Sequence, residues 1–183
     1  MNICVFCSAE AVSDKYAIPV KKLVQLLAEK GHGLVWGASE LGLMKVVADE
    51  MRMHNRRLVG ITFSSIKHET GVTRSNKETL IVTRTLPERK TLMLEYADTI
   101  LVLPGGIGTL DELMDVLEKK RHGIHTKPII IFNIDGFYSS LQSHLANLEL
   151  ENFLHTPLET LASFVDTAEE ALMLLEKQKA DGS

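Results

Sequence analysis

Short, nearly continuous apolar runs alternate along this chain with longer segments whose apolar residues recur every three or four positions. The short runs read as buried strands: Ile3–Cys7, Gly33–Trp36, Leu58–Thr62, Thr79–Thr83, Thr99–Leu103, Pro128–Asn133 and Leu161–Val165. The periodic segments read as helices near Tyr16–Lys30, Leu41–His54, Pro87–Tyr96, Leu110–Lys120, Phe137–Glu149 and Ala168–Lys177. In the first, Val24, Leu27 and Ala28 keep helical spacing, and Gly31 suits the position just past a helix end. Pro19 fits poorly inside a helix starting near Ser13, so only the later part of that helix is expected. Strands buried on both faces and separated by helices predict an α/β fold: one doubly wound parallel sheet with helices on both faces. Ligands in such folds bind at the carboxyl ends of the strands.

There is no internal repeat and no low-complexity linker. We expect one domain over residues 1–177 and a disordered tail over residues 178–183. The polar connection from Phe63 to Lys77 is either a lid or a solvated loop. At 45% hydrophobic residues and a net charge of −4, the chain looks globular and offers no basic surface for nucleic acid. No apolar run approaches the ~20 residues needed to cross a bilayer, and no signal-peptide pattern opens the chain. A cytoplasmic location is the default expectation. The two cysteines, Cys4 and Cys7, have C-x-x-C spacing. Within a strand their side chains point to opposite faces, which favours core packing over redox or metal chemistry.

Candidate chemistry concentrates at Pro104-Gly105-Gly106-Ile107-Gly108-Thr109-Leu110-Asp111-Glu112, between a strand and a helix. Glycines there leave backbone amides uncovered at a helix N-terminus, where the dipole favours an anion such as a phosphate. Thr109-x-x-Glu112 is also a capping-box pattern, as are Thr85-x-x-Glu88 and Thr167-x-x-Glu170. Glu112 is therefore open to two readings, helix cap or catalyst, and the preceding glycines tilt the balance to catalyst. A second glycine-containing turn, Gly37-Ala38-Ser39, follows the second strand and reads more simply as a tight turn. Ser8 ends the first strand at the same edge of the sheet. Arg89 and Lys90 lie near a helix N-terminus, where basic residues oppose the dipole, and are either a solvated pair or partners for a phosphate. His122 and His125 have H-x-x-H spacing around a glycine and read as turn residues, so no metal is expected. No G-x-x-x-x-G-K-[ST] loop is present.

Together these segments resemble the Lonely Guy (LOG) family. Pro104–Glu112 matches its P-G-G-x-G-T-x-x-E motif, and Glu88-Arg89-Lys90 its E-R-K element. Gly42-Leu43-Met44, Val47-Ala48-Asp49 and Asn133–Tyr138 match further signatures, and the likeness runs from about Asn2 to Leu175. The resemblance implies a Rossmann-like fold, a homodimer, no cofactor, and hydrolysis of a nucleoside 5′-monophosphate to free base and ribose 5-phosphate. Family members acting on N6-modified adenine release cytokinins. It further implies Arg89 and Glu112 as the catalytic pair and Gly105, Gly106, Gly108 and Thr109 as the phosphate cradle with Lys90 nearby. Ser8, Met44 and Ile107 are the remaining substrate contacts it implies. The name lysine decarboxylase also attaches to such proteins, yet no pattern here marks a pyridoxal-phosphate lysine. Gly37-Ala38-Ser39 stands where the family usually has a glycine triplet, and Leu86-Pro87 where it has Met-His, which leaves base preference open. The alternatives are a general nucleotide nucleosidase and a non-catalytic carrier, since the glycine turn also occurs in molybdenum-cofactor carriers.

Overall fold

A computed structural model describes residues 1–63 and 77–181 of the chain, with side chains up to residue 177. The strands are β1 (Asn2–Phe6), β2 (Gly33–Trp36), β3 (Leu58–Phe63), β4 (Glu78–Thr83), β5 (Thr99–Val102), β6 (Ile129–Phe132) and β7 (Ser163–Val165). The helices are α1 (Asp14–Glu29), α2 (Gly42–Met53), α3 (Leu86–Tyr96), α4 (Ile107–Arg121), α5 (Ser139–Leu150), α6 (Leu158–Leu161) and α7 (Ala168–Asp181). The strands form one parallel sheet in the order β4-β3-β2-β1-β5-β6-β7. The order reverses between β1 and β5, where Phe6 pairs with Val102. At such a switch point the connections leave in opposite directions and open a crevice beyond the strand ends.

Side-chain alternation along β1 divides the core. Ile3 and Val5 join α1, α2 and α7 on one face through Leu23, Val47 and Leu175. Cys4 and Phe6 join α3, α4 and α5 on the other through Met93, Val116 and Leu145. Cys7 lies on the face opposite Cys4, as the spacing predicts. Both thiols are free and buried, and burial raises their pKa values, so neither is a thiolate nucleophile.

All seven expected strands are present. Four differences concern boundaries or helices. Helix α1 begins at Asp14 and carries Pro19 within it. The carbonyl that Pro19 leaves without an in-helix donor is that of Lys15, an exposed residue where water can supply the bond. Leu161 belongs to α6, a single turn entered from Pro157, and not to β7. Helix α4 starts at Ile107, inside the glycine motif. Helix α7 runs past Lys177 to Asp181. The lid-or-loop segment lies outside the described residues except for its two ends. Among the described residues no helix is long and apolar enough to cross a membrane.

Candidate active site

The turn after β5 crosses the switch point and starts α4 directly. Gly106 occupies the N-cap position with no side-chain cap, so Ile107, Gly108 and Thr109 form the first helical turn. Their amides are among the unpaired donors of a helix start and face the crevice. The three glycines divide by role. A Cβ on Gly105 would lie 2.1 Å from Thr109 Oγ1, whereas Cβ atoms on Gly106 and Gly108 would meet nothing within 4 Å. Gly105 thus lets the turn pack against Thr109 and is not among the residues that line the cleft. Gly106 and Gly108 leave open space for a ligand.

This separation predicts two different defects. Gly105→Ala lowers the melting temperature, because backbone or the buried Thr109 must move. Gly108→Ala folds as well as the parent, since alanine is the better helix former by about 1 kcal/mol. It raises KM for a phosphorylated ligand roughly tenfold by crowding the cradle. Thermal denaturation and saturation curves on the two variants check this pair of outcomes.

The capping-box alternative for Glu112 does not hold. Thr109 stands in the first turn of α4 and not at the cap. At the other two patterns the threonine does cap its helix: Thr85 Oγ1 accepts from Glu88 N at 3.2 Å, and Thr167 Oγ1 from Glu170 N at 3.2 Å, where Glu170 Oε2 also accepts from Thr167 N. Glu112 instead sits one turn inside α4, 5% exposed, with Oε1 accepting from Arg89 Nη1 at 2.7 Å. Burial raises its pKa above the ordinary carboxylate range, with Arg89 pulling the other way.

Arg89 projects from the second turn of α3, and its side chain is 8% exposed. Nε donates to the Ile61 carbonyl of β3 at 2.9 Å, which fixes the plane from which Nη1 reaches Glu112. Gly37, at the end of β2, makes this position available: a Cβ there would lie 2.2 Å from Arg89 Nη2. Gly37 is the functional residue that sequence reasoning undervalued. Its signal was present, a glycine at a strand end beside the site, but the partner needing the space comes from a distant helix. Next to it, Ala38 adopts a left-handed φ of 61° although it carries a Cβ. That Cβ faces Gly60, where a second Cβ would approach it to 2.9 Å. The departure from a glycine triplet is thus accommodated across the β2–β3 pair.

A cleft of about 370 Å³ opens above this pair, lined by Ser8, Met44, Leu86, Arg89, Lys90, Gly106, Ile107, Gly108, Thr109 and Glu112, together with Cys7, Ala9, Glu10 and Asp111. Nine of the ten expected site residues therefore meet in one place, Gly105 being the exception. Ser8 shapes the entrance through its turn: Oγ accepts from Glu10 N at 3.0 Å and its carbonyl accepts from Met44 N at 3.2 Å. Lys90 lines the cleft but donates to both oxygens of Asp111 at 3.0 and 3.1 Å. Burial lowers its pKa, but the bond to Asp111 and the charge of Asp115 outweigh it, and the ammonium is held above its ordinary value. His122 pairs with Glu118. His125 is a buried turn residue, with Nε2 on the Val116 carbonyl at 2.9 Å and Nδ1 accepting from Lys127 N at 3.1 Å. Neither histidine lines the cleft.

The arrangement is a cradle of helix-start amides for a phosphate beside a buried carboxylate held in one orientation. It can bind a phosphorylated small molecule and stabilise positive charge developing next to that phosphate.

The family model described as "Possible lysine decarboxylase" matches residues 44–175. Curated relatives include the cytokinin riboside 5′-monophosphate phosphoribohydrolase LOG2 of Arabidopsis thaliana. It is 32% identical over 96% of this chain and 83% of its own length. The corresponding enzyme LOG of rice is 32% identical over 96% of this chain and 73% of its own. Among solved structures, the molybdenum cofactor binding protein of Rippkaea orientalis superposes with a TM-score of 0.71 at 21% identity, covering 96% of this chain and 95% of that one. The molybdenum cofactor carrier protein of Chlamydomonas reinhardtii gives 0.70 at 16%, covering 98% of each. At these identities the two structural likenesses establish the fold alone.

Proposed function

Because the chain belongs to the Lonely Guy family, we propose that it hydrolyses the N-glycosidic bond of a nucleoside 5′-monophosphate, releasing the base and ribose 5-phosphate. The substrate is AMP or an N6-modified AMP such as a cytokinin precursor. The observation that carries this reading is the buried Arg89–Glu112 pair at 2.7 Å, set against the uncovered amides of Gly106 and Gly108 in one cleft.

The first turn of α4 holds the 5′-phosphate, which fixes the ribose above Glu112. As the bond from C1′ to the base breaks, its electron pair leaves with the base and the sugar acquires oxocarbenium character. The Glu112 carboxylate, desolvated and held by Arg89, faces that developing charge and orients the attacking water. Water's oxygen bonds to C1′, and one of its protons is passed through the carboxylate to the departing base. Arg89 keeps Glu112 ionised and oriented, and its charge offsets that of the phosphate. The reading includes a cytoplasmic homodimer. Leu86 and Ile107, 46% and 87% exposed at the cleft, are the apolar side chains a second copy would cover.

The test is incubation with AMP, N6-isopentenyl-AMP and the phosphate-free nucleosides, with released base measured by chromatography. Base from a monophosphate but not from its nucleoside supports the reading, and relative rates rank a general nucleosidase against a cytokinin-forming enzyme. Nucleotide binding without any base release overturns it in favour of a carrier.

The raised pKa of Glu112 also predicts a pH dependence. The active form is the carboxylate, so kcat/KM falls as pH drops through the folded-state pKa, and the midpoint of that limb lies above the ordinary carboxylate range. The residual rate of Glu112→Gln lacks the limb. A wild-type midpoint at ordinary carboxylate values, or the same limb in the variant, contradicts the assignment.

A further inference from the structure

At the edge of the sheet opposite the catalytic cleft, the amino ends of β1 to β4 surround a second cavity of about 530 Å³. Its lining includes Asn2, Asn55, Arg56, Arg57, Lys77 and Thr79. The backbone here is tightly held: Leu34 N donates to the Arg57 carbonyl at 2.9 Å, Leu58 N to that of Lys77 at 2.9 Å, and Arg56 N to that of Met51 at 3.0 Å. Asn55, with a left-handed φ of 55°, turns the chain out of α2 so that consecutive arginines face one hollow.

Arg52, Arg89 and Arg121 each bind a carboxylate within 3 Å. Arg56 and Arg57 form no ion pair among the described residues, and Arg56 Nε is buried without a hydrogen-bond partner. A buried guanidinium N–H left unmatched is costly, and placing two arginines side by side adds to that cost. In a chain of net charge −4, this concentration is local and not a general basic surface. Guanidinium groups present planar donor forks that match phosphate oxygens, and the Asn2 and Thr79 side chains add neutral polar groups at the rim. The volume is that of a small-molecule site.

We infer that this hollow is a second anion site, separate from the catalytic cleft, which takes a small phosphate-bearing molecule through Arg56 and Arg57. Pyrophosphate is the probe, titrated calorimetrically into the full chain. Wild type is expected to bind at a site that Arg56→Gln/Arg57→Gln weakens at least about tenfold. Base release from the preferred nucleotide is unchanged in that variant, and the site persists in Glu112→Gln. Charge reversal at the exposed Arg57 alone, Arg57→Glu, reproduces the loss and keeps the inference testable if the double variant folds poorly. Identical pyrophosphate binding in wild type and variants overturns the inference. Tighter binding of citrate or of a single-stranded oligonucleotide to the same arginines overturns its ligand class. A variant that is folded but no longer releases base overturns its separation from the catalytic cleft.

Discussion

Replacing Glu112 by glutamine is expected to lower kcat by about 10²-fold or more while KM changes little. The glutamine amide has the same shape and can still accept from Arg89 Nη1 through its oxygen, so the 2.7 Å contact and the packing around it survive. What disappears is the negative charge opposite C1′. In a site only 5% exposed at this residue, water cannot supply a substitute charge. In the proposed mechanism the phosphate is held by the first turn of α4, which the substitution leaves intact, so the loss belongs to the chemical step. Initial rates over a range of nucleotide concentrations separate the two parameters. Turnover of Glu112→Gln near that of wild type would falsify the assignment.

Gly37→Ala is expected to be the most damaging change at a residue with no side chain of its own, lowering kcat on the order of 10- to 100-fold. The new Cβ would occupy a point 2.2 Å from Arg89 Nη2. Arg89 cannot swing aside freely, because Nε is bonded to the Ile61 carbonyl and the guanidinium is buried. Either that bond breaks or the guanidinium plane tilts, and both misdirect Nη1 from Glu112. The defect therefore acts through Arg89. In a double-mutant cycle, Gly37→Ala should cost much less when Arg89 has already been replaced by alanine. Additive losses in the cycle would show that Gly37 matters for some other reason.

The sheet was legible because each of its strands is a short apolar run with turn residues at its ends, and buried parallel strands leave that signature plainly. The glycine turn at the cleft was legible because glycines between a strand and a helix have few uses. Boundaries were harder. Helix α4 claims Ile107 and Gly108, a residue exposed to solvent and a poor helix former, which no periodicity would assign. The Thr109-x-x-Glu112 pattern was ambiguous for the same reason: a box and a non-box share four letters, and only the helix start decides between them. Gly105 and Gly108 look equivalent in sequence, yet one packs against Thr109 and the other faces open space. Gly37 and Arg89 are brought together by the β2–β3–α3 arrangement, which no local window contains.

The strand order has a consequence for how the chain is made. The first four strands lie side by side in reverse order, β4-β3-β2-β1, and can assemble as soon as they leave the ribosome. Until β5 at Thr99–Val102 emerges, β1 is the bare edge of that half-sheet, its backbone donors and acceptors unpaired on that side and its Cys4 and Phe6 side chains not yet covered by α4 and α5. An apolar, unprotected edge recruits whatever strand it meets. The same pairing that opens the crevice for substrate is thus the step that ends the nascent chain's exposure to aggregation. Slow synthesis across residues 84–98 would lengthen the interval in which two half-made copies can join by their first strands.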